Sequence, residues 1–457
     1  MEASEELSVL RAANAALKQR VQELEEVIRR LEGQKNQNST NSSRPPSSDP
    51  PGVKKQRRRR SRRKVGGQPG HRGHSRRLAE TADQVVLCDI DAVCPDCGGS
   101  GICERRTRRH HVEELVEKPT RLTEYRVVSG RCSRCRKRRR GRLPAGVTPQ
   151  SIGPRLQAVM VHLTGTLGVS RRQSVAFVAE VLGVKRSRAT LSSTEARLSK
   201  VLEPTVDGIR DAIVQSPLMH LDETGHRRCG KRCTTWVLST PKLATFYVGQ
   251  RRDRKTLHRI QGNAFKGISV TDRYVVYDSV PDGRRQLCLE HLRRNFFGLV
   301  DDPTHGVLAH RCYTAVRTVL RLWRLHRAAA LSTPRYRYHV QRCRNRLEHE
   351  LGQHRFTGKL KTLAHTFIQR AASVWLFVDT PDIPPTNNAA ERDIRPYVIR
   401  RKTSLHTWSL RGDRFLERAL TVAISCRKLH RNPFAFLVDA FSAAIAGNSA
   451  PLLLPTT

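Results

Sequence analysis

Two short apolar runs, each ending in an aspartate, set the strongest limit on how this chain can fold. Pro217-Leu218-Met219-His220-Leu221-Asp222-Glu223-Thr224-Gly225 and Phe265-Lys266-Gly267-Ile268-Ser269-Val270-Thr271-Asp272-Arg273-Tyr274 read as buried strands that deliver Asp222 and Asp272 at their tips. A third acid lies in Thr386-Asn387-Asn388-Ala389-Ala390-Glu391-Arg392-Asp393-Ile394-Arg395-Pro396. Pro384-Pro385 end what precedes, Thr386 or Asn387 can cap a helix running to about Pro396, and Asn388, Glu391 and Arg395 then share one face. Three carboxylates brought to one point are hard oxygen ligands suited to magnesium or manganese, and a two-metal site of this kind serves in-line phosphoryl transfer.

The partner implied by composition is a polyanion. The chain has 457 residues and a formal charge of +43, from 84 Lys and Arg against 41 Asp and Glu. Such an excess favours nucleic acid. No run of about 18 apolar residues offers a membrane span, and the N-terminus is acidic rather than signal-like, so a cytoplasmic, nucleoid-associated protein is expected. The 12 cysteines are too few for a disulfide scaffold in a chain of this length.

Residues 1–34 carry a heptad pattern. Leu10, Leu17, Leu24 and Leu31 fall seven apart, with Leu7, Asn14, Val21 and Ile28 at the other seam position. This predicts a parallel two-stranded coiled coil, hence a homodimer or higher oligomer, with Arg20 placed to meet Glu25 of the second helix. A single amphipathic helix packed on the body, or a helix from another protein, would use the same stripe. Residues 35–80 change composition to Asn, Ser and Pro and then to a basic run of Lys54, Lys55, Arg57, Arg58, Arg59, Arg60, Arg62, Arg63 and Lys64. This stretch lacks the apolar surface to fold alone and reads as an arm that neutralises DNA phosphates.

Residues 81–150 hold two Cys-x-x-Cys pairs, Cys94 with Cys97 and Cys132 with Cys135, the ligand set of a structural zinc in a ribbon-like domain. Strand-like segments such as Leu122 to Val128 fill the interval. Residues 151–213 turn helical: Arg171-Arg172-Gln173 opens one helix, Gly183-Val184 breaks it, and Ser187-Arg188 starts the next. A helix-turn-helix-like reader of DNA and a plain helical bundle both fit this pattern.

The catalytic core is expected in two parts, residues 214–300 and 381–450, separated by an Arg-rich helical insertion over 301–380. Beyond the first acidic run, Thr234 to Leu238 and Ala244 to Val248 read as strands, Asp253 to Gln261 as a helix, Gly267 to Thr271 as the strand leading to Asp272, and Arg285 to Cys288 as a further strand.

His220-Leu221-Asp222-Glu223-Thr224, Phe265-x-Gly267 followed by Asp272 and Tyr274, Cys288-x-x-His291-x-Arg293-Arg294-x-Phe296, and Asn387-Asn388-x-Ala390-Glu391-Arg392-x-Ile394-Arg395-Pro396 together resemble the insertion-sequence-66 family of bacterial transposases. Asn41-Ser42-Ser43-Arg44-Pro45-Pro46 and Gly66-Gly67-Gln68-Pro69-Gly70-His71 in the N-terminal region look like the same family. Leu289 stands where the family usually has Trp, and Arg273 where it commonly has Gly. The resemblance implies a multidomain α/β protein with a ribonuclease-H-like mixed sheet, whose expected strand order agrees with the one above. It implies a DDE transposase with Asp222, Asp272 and Glu391 as catalytic triad and magnesium ligands, acting on double-stranded element ends and target DNA, with accessory proteins of the element as further partners. Arg395, beside Glu391, is a candidate phosphate contact, and His291, Arg293 and Arg294 serve either phosphate or surface ion pairs. A structure-specific nuclease or a DNA-binding regulator without catalysis would share much of this pattern.

Overall fold

The computed structural model describes residues 13–25, 27–28, 80–81, 83–86, 98–99, 115–116, 119–131, 133–135, 137–352, 356–404 and 406–454. The chain divides into two units, residues 1–55 with 124–457 and residues 56–123. Among the described residues of the second unit there is no helix or strand. The basic run Lys54 to Lys64 and the ligand candidates Cys94, Cys97 and Cys132 lie outside the described residues.

In the first unit, α1 occupies residues 13–25 and continues at 27 and 28. Its apolar seam is bare: Leu17, Val21, Leu24 and Ile28 are all exposed. Arg20 pairs with Glu23 on its own helix at 2.8 Å. Strands β1 (Ser129–Arg131) and β2 (Arg138–Arg140) form an antiparallel hairpin with Cys135 exposed in its turn. The strand expected over Leu122 to Val128 does not form. Its Leu122 and Val128 are largely exposed, so no burial rewards the pairing.

The helical stretch is α2 (Pro154–Val161), a π-helical turn over His162–Thr166, α3 (Arg171–Glu180), α4 (Arg188–Val201) and α5 (Glu203–Val214). Two starts follow from serine caps: Ser170 accepts from the Gln173 N–H and Ser187 from the Thr190 N–H. Ile152, Met160, Val178 and Leu191 form the small core of α2, α3 and α4.

A five-stranded sheet then organises the chain in the order β5-β4-β3-β6-β7. Its strands are β3 (Leu218–Arg228), β4 (Lys231–Ser239), β5 (Ala244–Gln250), β6 (Ile268–Thr271) and β7 (Arg285–Leu287), with α6 (Arg254–Gln261) between β5 and β6. The first three strands are antiparallel, while β6 and β7 run parallel to β3. The sheet is therefore mixed, in an α/β unit rich in helices. Gly267 has a steric reason: a Cβ there would stand 2.5 Å from the Pro217 carbonyl oxygen, where the chains entering β3 and β6 nearly touch.

β3 corrects one expectation. Asp222 is not its tip; the strand runs on to Arg228, because β4 pairs with it as far as Arg228 opposite Lys231. The parallel partner β6 does stop early, so Asp222 lies where the sheet has lost that neighbour.

Helices cover both faces. One face packs into a core shared with α5, α12 (Asn388–Ser404), α13 (Leu410–Lys428) and α14 (Pro433–Ile445). The other packs against α7 (Leu289–Phe297), α8 (Gly306–Arg327), α9 (Thr333–Gly352), α10 (Gly358–Gln369) and α11 (Ala371–Asp379). The edge strand β5 is closed by side chains of α13: Glu417 Oε2, Thr421 Oγ1 and Ser425 Oγ, one helical turn apart, accept from the N–H groups of Val248, Phe246 and Ala244 at 2.9, 3.0 and 3.1 Å. An open row of donors is thereby satisfied within the chain. Helix α12 also departs from expectation, since Pro396 lies inside it and the helix continues to Ser404. Burial of Ala390, Ile394 and Tyr397 on one stripe holds it across the missing N–H. Among the described residues no helix is long and apolar enough to cross a membrane.

Candidate active site

The register of the parallel ladder sets two of the acids. His220 pairs with Val270, so two residues further on Asp222 and Asp272 come level on adjacent chains with the same parity. Asp222 Oδ1 accepts the Glu223 N–H and Asp272 Oδ1 the Tyr274 N–H, each at 2.9 Å. The backbone at Asp272 is clamped by Arg285, which is fully buried in β7. Its guanidinium donates to the Asp272 carbonyl, to Thr271 Oγ1 and to Asp278 Oδ1, each at 2.9 Å.

The third acid comes from α12, whose start is clamped by Asn387. Asn387 is buried and donates Nδ2–H to the Leu221 carbonyl at 2.6 Å, while its Oδ1 faces His220 Nδ1 at 3.2 Å. This ties the start of the helix to the residue before Asp222. Asn388 and Arg395 are exposed and Glu391 is half-buried. Glu391 Oε1 lies 3.6 Å from His291 Nε2 and 3.7 Å from Arg294, yet has no hydrogen-bond partner among the described residues.

The electrostatics reflect three acids within reach of one another. Burial pushes Asp222 well above the usual carboxylate range, and the charges of Glu223, Asp272 and Glu391 push it further. Burial likewise raises Asp272, against the Tyr274 N–H and nearby arginines. Glu391 is raised by burial, and the opposing field of Arg294 only partly offsets this. Held charges that repel each other, with an orphaned carboxylate oxygen among them, fit a hard divalent cation bound by oxygen.

Sequence reading missed a fourth carboxylate. Glu223 has almost no exposed side chain, receives the Tyr277 hydroxyl, and pairs with Arg252 at 2.6 Å. Its charge acts on Asp222. The adjacency Asp222-Glu223 was the available signal, but strand alternation argues that neighbours point apart. Of the three residues weighed for phosphate, His291 and Arg294 face Glu391, whereas Arg293 bonds Glu290 at 2.5 Å and Tyr313 at 3.2 Å. Burial, with Arg294 and Arg273, holds the His291 imidazole down at about 3, so it is neutral. Cys288, His291 and Glu391 offer a sulfur, a nitrogen and an oxygen that all lie within 4.8 Å of one another.

Residues 151–414 match the family described as "Transposase IS66 family", and residues 1–77 match a family of unknown function. An uncharacterized protein of Sinorhizobium fredii, y4hP, is 24% identical over 399 residues, covering 78% of this chain and 71% of the relative.

Proposed function

Because the chain belongs to the IS66 family of transposases, we propose that it frees and joins the ends of a DNA element at a carboxylate triad of Asp222, Asp272 and Glu391, in a ribonuclease-H-like core. The observation that carries this reading is the ladder register that sets Asp222 and Asp272 side by side, with Glu391 pinned next to them through Asn387 and Leu221. The mixed sheet, three antiparallel strands continued by two parallel ones, supports the fold assignment.

Within the site the protein's own groups hold and orient. Arg285 and the Tyr274 N–H fix Asp272, and the Glu223 N–H fixes Asp222. Arg252 lies 3.7 Å over the Tyr274 ring while it neutralises Glu223, which keeps that carboxylate from joining the triad freely. Magnesium or manganese held by Asp222, Asp272 and Glu391 would supply activation of the attacking oxygen and charge stabilisation at the leaving one. Water and then a freed 3′-hydroxyl are the attacking groups expected of such a site.

Binding of the DNA falls to the basic arm Lys54 to Lys64, to the region of the cysteine pairs with its structural zinc, to the helical module α2 to α4, and to Arg395. A coiled coil through α1 would bring two chains, and so two ends, together. The test is a cleavage assay with the purified chain and DNA carrying the element's ends. Magnesium-dependent nicking at the ends supports the reading; tight end binding with no strand chemistry in magnesium or manganese contradicts it.

A further inference from the structure

Cys288 caps α7 and His291 sits in its first turn, so the Cys-x-x-His spacing puts sulfur and imidazole on one side of the helix start, facing Glu391 of α12. The distance of 3.6 Å between His291 Nε2 and Glu391 Oε1 is too long for a hydrogen bond. It is close to the separation of about 3.4 Å between two donors on one tetrahedral zinc, given bond lengths of about 2.0–2.2 Å. Glu391 Oε1 is buried without a hydrogen-bond partner among the described residues, a state that native polar groups rarely keep. The Cys288 sulfur already accepts the Asn387 N–H at 3.2 Å, the kind of outer bond that orients a metal-bound thiolate.

We propose that Cys288, His291 and Glu391 form a second cation site that takes a borderline-soft divalent ion of the zinc class, and that its occupancy withdraws Glu391 from the acid site and inhibits strand chemistry. The selection is one of ligand softness: thiolate and imidazole favour zinc over magnesium, whereas carboxylate oxygens alone suit magnesium. Binding releases the thiol proton to solvent and breaks no other covalent bond. Arg294, 3.7 Å from the same carboxylate oxygen, is the group the ion would displace. The inhibitory half rests on the reading of Glu391 as a triad member; the binding half does not.

The test uses the full chain and Co²⁺ as probe. Wild type and Cys288→Ser are titrated side by side and the near-ultraviolet thiolate-to-cobalt absorption is compared. Any other cysteine site contributes equally to both and cancels in the difference. The site predicts a saturable difference band of one Co²⁺ per chain, lost as well in His291→Gln, which serves alone if Cys288→Ser does not fold. A flat difference overturns the proposal. In a second arm, wild-type cleavage in Mg²⁺ is titrated with Zn²⁺, and the concentration for half-inhibition should rise at least tenfold in Cys288→Ser. Equal zinc sensitivity overturns the inhibitory role. No cleavage by wild type in Mg²⁺ alone counts against the triad instead, and leaves the cobalt result standing.

Discussion

The side-chain amide of Asn387 donates to the Leu221 carbonyl at 2.6 Å, and this bond couples the helix bearing Glu391 to the strand bearing Asp222. The same side chain meets His220, and its backbone N–H meets the Cys288 sulfur. Asn387→Ala should cost about 1–3 kcal/mol, since it leaves a buried carbonyl without its donor. Chemical denaturation measures the loss. Cleavage should fall further than the stability loss explains, because Glu391 is no longer held; a variant with both properties intact would remove this coupling from the account.

Asp222 carries a raised pKa, caused first by burial and then by Glu223, Asp272 and Glu391. The folded state therefore binds more protons than the unfolded one between the ordinary carboxylate value and the raised one. Stability declines as pH rises through that window and stays reduced above it. Asp222→Asn removes the charge, so in metal-free buffer at neutral pH its thermal midpoint should exceed that of wild type by a few degrees, roughly 2–4 °C for each kcal/mol relieved. The gap should close below the ordinary carboxylate range. A variant that melts lower at neutral pH would show that repulsion is not what the site stores.

His220 has the opposite linkage. Burial, with Lys428 and Arg392 against the Asn387 bond, lowers its pKa to about 4. Its contribution is complete above about 6.5 and is lost as pH falls toward 4, by up to about 3 kcal/mol. As pH falls Asp222 gains stability over an overlapping range, against the loss at His220, so the useful quantity is the difference between wild type and His220→Gln. That difference should shrink as pH falls from 6.5 to 4, and a constant difference would mean that His220 does not titrate there.

Leu17, Val21, Leu24 and Ile28 present an apolar seam that α1 alone leaves in water. A second helix would bury it. Leu17→Pro with Leu24→Pro should lower the mass measured by sedimentation, and an unchanged mass would place oligomerisation elsewhere.

Much of the sheet was legible because short apolar runs with turn residues between them have few other solutions. β4, β5, α6, β6 and β7 lie close to the predicted positions. The end of β3 was not legible: its pattern turns polar at Asp222, and only pairing with β4 keeps the chain extended. Pro396 misled for a similar reason, since local chemistry ends a helix that packing on the sheet prolongs. In the site, the acids showed as isolated charges after apolar runs. Their supports did not, because Arg285 looks like any basic residue until it is seen buried, and Asn387 differs from Asn388 only in its contacts. Neighbouring acids that look like surface charges in the sequence are equally tied in. Glu223 touches the site, while Asp278 pairs with Arg285 and Arg370, and Asp393 with Lys428, so changing any of them alters more than a surface charge.

Whether Asp222, Asp272 and Glu391 act as one unit in strand chemistry is measured by comparing Asp222→Asn, Asp272→Asn and Glu391→Gln with wild type on DNA carrying the element's ends in Mg²⁺. Gel shift scores binding, and nicked or joined product scores chemistry. Asp211→Asn, on the exposed face of α5, is the control. Each triad variant should bind as wild type does and lose product by at least about a thousandfold, in keeping with the loss of a group that stabilises charge in the transition state. Full product from Glu391→Gln, or losses of equal size in Asp211→Asn, would contradict the account.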